Sequence, residues 1–300
     1  MTIEVVAAAV FDRQRRILLS QRPAGKHLAG TWEFPGGKLE RGESHGDGLA
    51  RELVEELGLQ VVDSQPLLSL THHYPERSVR LWLRTVTDYG GEPRGLEGQA
   101  LKWVSLAEAM RLPMPAADRP MLKALALPPV CVQLPPASDA EPAAVSRPDV
   151  ETALEAGHRW FCLPVDGMST ALVLKLVRQL APGFDRVQAS WLIQGEPELV
   201  DAAGASGIHL SRDQLHQTTE RPVPAARIAC AVCIDEPDLV QAGRLELDFV
   251  TVPLNADFDR LCACSPLPVL AVVDNNACDL AEVRRRGGFG WMLRWRAAPS

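Results

Sequence analysis

Leucines recur at 49, 53 and 57, and a spacing of four predicts a helix with one apolar face. Ser44 followed three residues later by Asp47 forms a capping box, so the helix begins just after Ser44. Gly58 suits the position just past its end. Glu52, Glu55 and Glu56 gather on a flank roughly 100° wide beside the leucines. Like charges at this spacing repel by a few tenths of a kcal/mol per pair, and Glu55 and Glu56 also sit at the helix end where the dipole disfavours anions. One reading is a solvated acidic face. The other is a hard divalent cation, which reverses the local field and is held by carboxylates together with substrate phosphates.

Around this helix, residues 3 to 11 form an apolar run that predicts a strand. Residues 16 to 20 predict a second, with a turn at Asp12 to Arg15. The loop QRPAGKHLAGTWEFPGG then carries Arg22, Lys26, His27 and Phe34 toward the acidic helix. Its cations are either solvated or engaged with phosphate or base. VRLWLRTV predicts a further strand, GGEPRGLEGQALKWVSL a loop leading into the next, and MPAADRPMLKALA a closing helix. A second pattern starts near Leu127 to Pro129. The short apolar runs VCVQL, RWFCLPV, VQASWLI, GIHLS, RIACAVCI, DFVTVPL, PVLAVV and FGWMLRW alternate with helical stretches such as MSTALVLKLVRQL, EPELVDAAG and CDLAEVRRR. This alternation predicts a compact parallel barrel.

A chain of 300 residues has room for two cores, and the change of pattern divides it into domains at 1–128 and 129–300. With 46% hydrophobic and 23% charged residues it reads as globular. A net charge of -7 argues against binding polymeric nucleic acid, which requires a basic face. The start MTIEVVAAAVFDRQRR has neither the basic opening nor the apolar core of a signal peptide, and no apolar run is long enough to span a bilayer. The expectation is a cytoplasmic protein with no membrane partner. Every cysteine follows residue 130. Cys230 and Cys233 match CxxC, but they lie in ARIACAVCI, which reads as a buried strand. Reduced core thiols are expected there, not a redox pair or a zinc site.

Gly37, Glu43, Arg51, Glu52, Leu53, Glu55, Glu56, Gly58 and Leu59 together resemble the Nudix hydrolase box with every fixed position filled. GTWEFPGGKLERGE is similar to the MutT-type branch, which hydrolyses oxidised purine nucleoside triphosphates such as 8-oxo-dGTP. The resemblance runs from residue 3 to about 127. It implies an α/β/α sandwich with a mixed sheet, a nucleoside triphosphate substrate, and Mg²⁺ or Mn²⁺ as cofactor. It further implies catalytic roles for Glu43, Arg51, Glu52, Glu55 and Glu56. Metal contacts would come from Gly36, Gly37, Glu52, Glu56 and Glu97, and substrate contacts from Arg22, His27, Glu33, Phe34, Pro35, Gly36, Lys38 and Asp118. Where the MutT-type pattern commonly has Asn to read the base, this chain has Asp118. An amide both donates and accepts, whereas an ionised carboxylate only accepts and reaches O6 of a purine as a donor only when protonated.

GASGIHLSRDQL and the alternation around it resemble the thiamine phosphate synthase and TenI-like family, which implies a (β/α)8 TIM-type barrel. Two departures bear on activity. CLPVDGM stands where a synthase shows Gln, Arg and Lys, and Val273-Asp274-Asn275-Asn276 replaces the glycine pair whose backbone N–H groups would cradle phosphate. A binding or structural role is therefore expected of the barrel, with His209 a strand residue. Two alternatives to nucleotide-pool sanitation stand beside it: a Nudix pyrophosphatase acting on thiamine-related pyrophosphates, and an idle module that senses ligands.

Overall fold

The computed structural model describes residues 2–26, 28–137, 147–274 and 279–295. Two compact units divide the chain between Leu127 and Pro128, with Cys262–Pro268 and Arg284–Phe289 counted with the first.

In the first unit the opening apolar run forms β1 (Thr2–Val10), and β2 (Ile17–Gln21) follows a turn in which Arg15 has a φ of 59°. The Gly-rich loop contributes the short strands β3 (Trp32–Glu33) and β4 (Gly36–Lys38). The acidic helix is α1 (His45–Leu57), followed by the long hairpin β5 (Gln60–Tyr74) and β6 (Arg77–Gly90). β7 (Leu101–Val104), the single-turn α2 (Leu106–Ala109) and α3 (Asp118–Ala126) complete the unit. Two sheets result, ordered β4-β1-β6-β5 and β3-β2-β7. The first is mixed: β1 runs parallel to β6, and β4 pairs antiparallel with β1, with Val6 opposite Gly37 and Ala7 opposite Gly36. Leu49, Leu53 and Leu57 of α1 are fully buried against Val6, Ala8, Val10, Leu18 and Val86. Each such leucine contributes roughly 1.5–3 kcal/mol of burial. That packing leaves the glutamate flank of α1 turned toward β4.

The second unit is a closed barrel of eight parallel strands, β8 (Val130–Gln133), β9 (Trp160–Pro164), β10 (Ser190–Gln194), β11 (Gly207–Leu210), β12 (Ile228–Val232), β13 (Phe249–Pro253), β14 (Val269–Val273) and β15 (Gly290–Arg294). Each coincides with one of the apolar runs read from the sequence, β10 extending one residue past its run to Gln194. Each strand pairs with the next in chain order, and β15 closes the ring on β8 with Met292 opposite Cys131. Helices alternate with the strands. Of those used below, α7 (Arg212–Gln217) follows β11 and α8 (Glu236–Arg244) follows β12. No helix among the described residues is long and apolar enough to cross a membrane.

Candidate active site

Both ends of α1 are fixed by local chemistry. Ser44 Oγ accepts the Asp47 N–H at 3.2 Å and donates to Asp47 Oδ2 at 2.6 Å, so the cap is a hydroxyl shared between backbone and carboxylate. Gly58, at φ 67°, ends the helix, with its N–H on the Val54 carbonyl and the Leu59 N–H on that of Leu53. From this helix Arg51 reaches back to the Gly-rich turn. It grips Glu43 with two bonds, at 2.9 and 3.0 Å, and also donates to Glu52 Oε1 at 2.9 Å and to the Lys38 carbonyl at 3.0 Å. Glu43 additionally accepts the Glu40 N–H at 3.0 Å. Arg51 and that N–H hold its carboxyl below the usual carboxylate range. Glu55 is different: its side chain is 60% exposed and touches Arg51 only at 3.4 Å.

Glycine is required on the facing strand. Gly36 has a φ of 145°, and a Cβ there would strike the Val6 carbonyl; a Cβ on Gly37 would run into the Glu52 carboxylate. The backbone of β4 therefore passes directly over the Glu52 carboxylate. The loop from Arg94 to Gln99 is fastened to the last carbonyls of α1: Arg94 N–H donates to Leu57 O, and Leu96 N–H and Gln99 Nε2 donate to Glu56 O. This pinning brings Glu97 beside Glu56. Glu56 accepts the Gly36 N–H, but burial, then the Glu52 and Glu97 charges, push its carboxyl up to about 7.

Glu52 and Glu56 of α1 thus face β4, with Glu97 of the loop within electrostatic reach of Glu56. Among the described residues, no three His, Cys, Asp or Glu side chains converge closely enough to hold a metal ion by themselves. Arg51 holds Glu52, and Lys26 Nζ holds Glu97 at 3.0 Å. The donor set is all oxygen, and at Glu56 burial and the neighbouring charges favour the proton that a cation would replace, which fits a hard divalent cation.

Beside this cluster, Arg22 is ion-paired with Glu33. Burial raises Glu33 above its usual range, against the pull of Arg22 and Lys26. Asp118, the first residue of α3, is only 7% exposed. Burial, then Glu33, push it up to about 8, opposed by Arg22. It is therefore mostly protonated at neutral pH and carries both a donor and an acceptor. Tyr74 lies within electrostatic reach of Asp118, Arg22 and Glu33, a position that strand periodicity alone did not reveal. Phe34 is a buried core residue at 4% exposure, Pro35 receives the Ala8 N–H on its carbonyl, and the Lys38 side chain is exposed. His27 lies outside the described residues.

A family model of the NUDIX domain matches residues 6–124. The CTP pyrophosphohydrolase of Escherichia coli is 43% identical over 122 residues, covering 41% of this chain and 90% of that protein. The chain belongs to the Nudix family. Two further Nudix-domain relatives are 8-oxo-dGTP diphosphatases. That of Escherichia coli is 32% identical over 123 residues, covering 41% of this chain and 95% of that protein. That of Proteus vulgaris is 37% identical over 90 residues, covering 30% and 80%. A second model, thiamine monophosphate synthase, matches residues 139–253, so the Nudix domain is joined to a barrel of the TenI type.

Inside that barrel His209 is buried, with Nε2 at 2.8 Å from Thr251 Oγ1 and Nδ1 at 3.6 Å from Cys162 Sγ. Burial lowers its pKa to about 4, so it is a neutral strand residue. Burial raises the Cys131, Cys162, Cys230 and Cys233 thiols, and all four are free, which suits inert core thiols. After β9 the chain presents Asp166, which accepts from Gln194, which in turn accepts from Gln133. Of the segment replacing the glycine pair, Val273 and Asp274 are described and Asn275 and Asn276 lie outside the described residues.

Proposed function

We propose that the protein hydrolyses nucleoside triphosphates to a monophosphate and pyrophosphate, with 8-oxo-dGTP as the first substrate to test. The observation that carries this reading is Glu52 packed against Gly37 of the glycine strand β4, beside Glu56, which accepts the Gly36 N–H and is raised by burial and by the Glu52 and Glu97 charges. Glu52, Glu56, Glu97 and a carbonyl at Gly36 or Gly37 would hold Mg²⁺ or Mn²⁺. When bound, such ions neutralise phosphate charge and acidify a water. Water oxygen forms a bond to the β-phosphorus as the bridge from that phosphorus to the α-phosphate oxygen breaks, and the monophosphate leaves. The water proton passes to the carboxylate set, with Glu52 or a neighbouring carboxylate taking it. Arg51 orients Glu52 and ties it to Glu43.

Asp118 bears on the base. As a neutral acid it regains both hydrogen-bonding senses of the amide found at this position in the MutT pattern. It can donate to O6 and accept from the N7–H of an 8-oxo purine, whereas dGTP offers two acceptors along that edge. The 43% identity to a CTP pyrophosphohydrolase favours a second reading. The same acid can donate to N3 of cytosine and accept from its N4 amine. Pyrophosphate release by the full chain with Mg²⁺, measured on 8-oxo-dGTP, dGTP, CTP, dCTP and oxidised thiamine pyrophosphate, separates these readings. Preference for 8-oxo-dGTP over dGTP is expected. A CTP preference would replace the substrate but keep the reaction, and release from none of them would remove the reaction itself.

A further inference from the structure

Lys26 is an ammonium among carboxylates in a loop that the Nudix box does not include. Its Nζ lies 3.0 Å from Glu97 Oε2, across 71 residues of sequence. The fields of Glu97, Glu56 and Glu33 all act to keep it charged. Both partners are anchored through their backbones. The Lys26 N–H donates to the Pro23 carbonyl, and its own carbonyl accepts the Ala29 N–H. The Glu97 N–H donates to Gln99, whose amide in turn holds the end of α1. The two side chains, by contrast, are about half exposed, at 54% and 49%. This differs from the Arg51 fork, which is closed by four strong bonds. A lysine is a compact point charge on a flexible stem and can leave without any backbone movement.

Resting on the Nudix reading above, we propose that Lys26 is the built-in counter-ion of Glu97. As a positioning residue, it occupies the place of a divalent cation at that carboxylate and yields it when the metal arrives with the triphosphate. Glu97 is thereby kept folded toward Glu56 without an ion, and the last metal position is made deliberately weak. The cation must displace an ammonium to win Glu97. Removing the ammonium must therefore tighten the site.

The test is Mn²⁺ binding to the full chain without nucleotide, followed by the electron paramagnetic resonance of free Mn²⁺. Lys26→Met should bind Mn²⁺ about two- to fivefold more tightly, the scale of a half-exposed ion pair, and Lys26→Arg should stay close to wild type. The Mn²⁺ concentration for half-activation should fall by the same factor. In a Glu97→Gln background, Lys26→Met should have no further effect. Unchanged binding in Lys26→Met, or a shift that persists without Glu97, overturns the proposal. The underlying reading has its own control, because Glu52→Gln must weaken Mn²⁺ binding. If it does not, the metal site is misassigned and the proposal falls with it, whereas a normal Glu52→Gln loss beside an unmoved Lys26→Met rejects Lys26 alone.

Discussion

Two carboxylates, one in each unit, have been given opposite surroundings. Asp238 in α8 of the barrel has a side chain with no exposure. It accepts two bonds from Arg212 Nε at 2.9 and 3.1 Å, one from His216 at 2.6 Å and one from the Ile234 N–H at 2.9 Å. Burial works to raise its pKa, but the Ile234 N–H, His216 and Arg212 outweigh it and leave it lowered. Glu56 in α1 has one backbone donor, and desolvation followed by three like-charged neighbours, Glu52, Glu97 and Glu33, raises it to about 7. The fold is able to satisfy a buried acid completely. That it does not do so at Glu56 is what supports the proposed cation site there, since a cost in stability retained at one position is a common sign of function.

The strongest way to break this contrast is through activity. Glu52→Gln keeps the shape and one acceptor but removes the charge, and pyrophosphate release should fall by about 10²–10⁴-fold with the fold intact by circular dichroism. Near-normal turnover in saturating Mg²⁺ would leave the cluster without a catalytic role.

Next comes stability, where the two acids should respond with opposite signs. Asp238→Asn removes a charge that Arg212, His216 and the Ile234 N–H all address, and should cost on the order of 2–3 kcal/mol in denaturant unfolding. Glu56→Gln keeps an acceptor for the Gly36 N–H while relieving repulsion, so the metal-free protein should be no less stable and catalysis should be lost. The pH dependence separates them again. Asp238 has a depressed folded pKa, so its contribution is present above the ordinary carboxylate range and is lost as pH falls through the folded value, below about pH 4. The folded state binds the Glu56 proton more tightly than the unfolded chain does. In that case metal-free stability declines as pH rises from the ordinary glutamate value through about 7. Mn²⁺ binding must expel that proton, so affinity should climb by up to about tenfold per pH unit below 7 and level off above. A flat profile would mean that Glu56 is not a ligand.

These acids also show what could be read without coordinates. Residues on one element were legible: the leucine stripe of α1, its Ser44 and Gly58 ends, the glutamate flank, and each strand of the barrel follow from periodicity and local capping. What depends on two elements meeting was not. β5 carries Pro66 and register shifts near Val61, Asp63 and Leu68, so its 15 residues do not alternate cleanly. Asp118 reads from the sequence as a carboxylate at the base-reading position, and only its burial beside Glu33 makes it a neutral acid. The pairing of Lys26 with Glu97 has no local signature at all.

Asp118 allows a finer comparison, between the acid proposed to meet a metal and the one proposed to meet a base. Asp118→Asn imitates the neutral acid and should preserve the ratio of kcat/KM for 8-oxo-dGTP over dGTP at pH 7, while removing any change in that ratio near pH 8. Asp118→Ala should erode the ratio by about ten- to a hundredfold, the scale of a lost buried hydrogen bond. A ratio that survives the alanine would show that the base is read elsewhere, with Tyr74 the next residue to change.

The smallest effect concerns Gly48, a helix-interior glycine where Ala would ordinarily gain roughly 1 kcal/mol. Here a Cβ would come 2.5 Å from Leu39 Cδ2 and 2.8 Å from Glu43 Oε2. The leucine methyl can rotate away. Glu43 cannot move freely, because Arg51 and the Glu40 N–H hold it, so the added methyl must loosen the fork that orients Glu52. Gly48→Ala should therefore leave the melting temperature nearly unchanged, because the better helix propensity is offset by the weakened Arg51–Glu43 fork, while kcat/KM drops by about tenfold. Gly46→Ala is the control on the same helix. Its nearest neighbours would lie at 3.8 Å, so it should gain the propensity and keep the rate. Equal rates for the two alanines would mean that the grip of Arg51 on Glu43 does not set the geometry of Glu52.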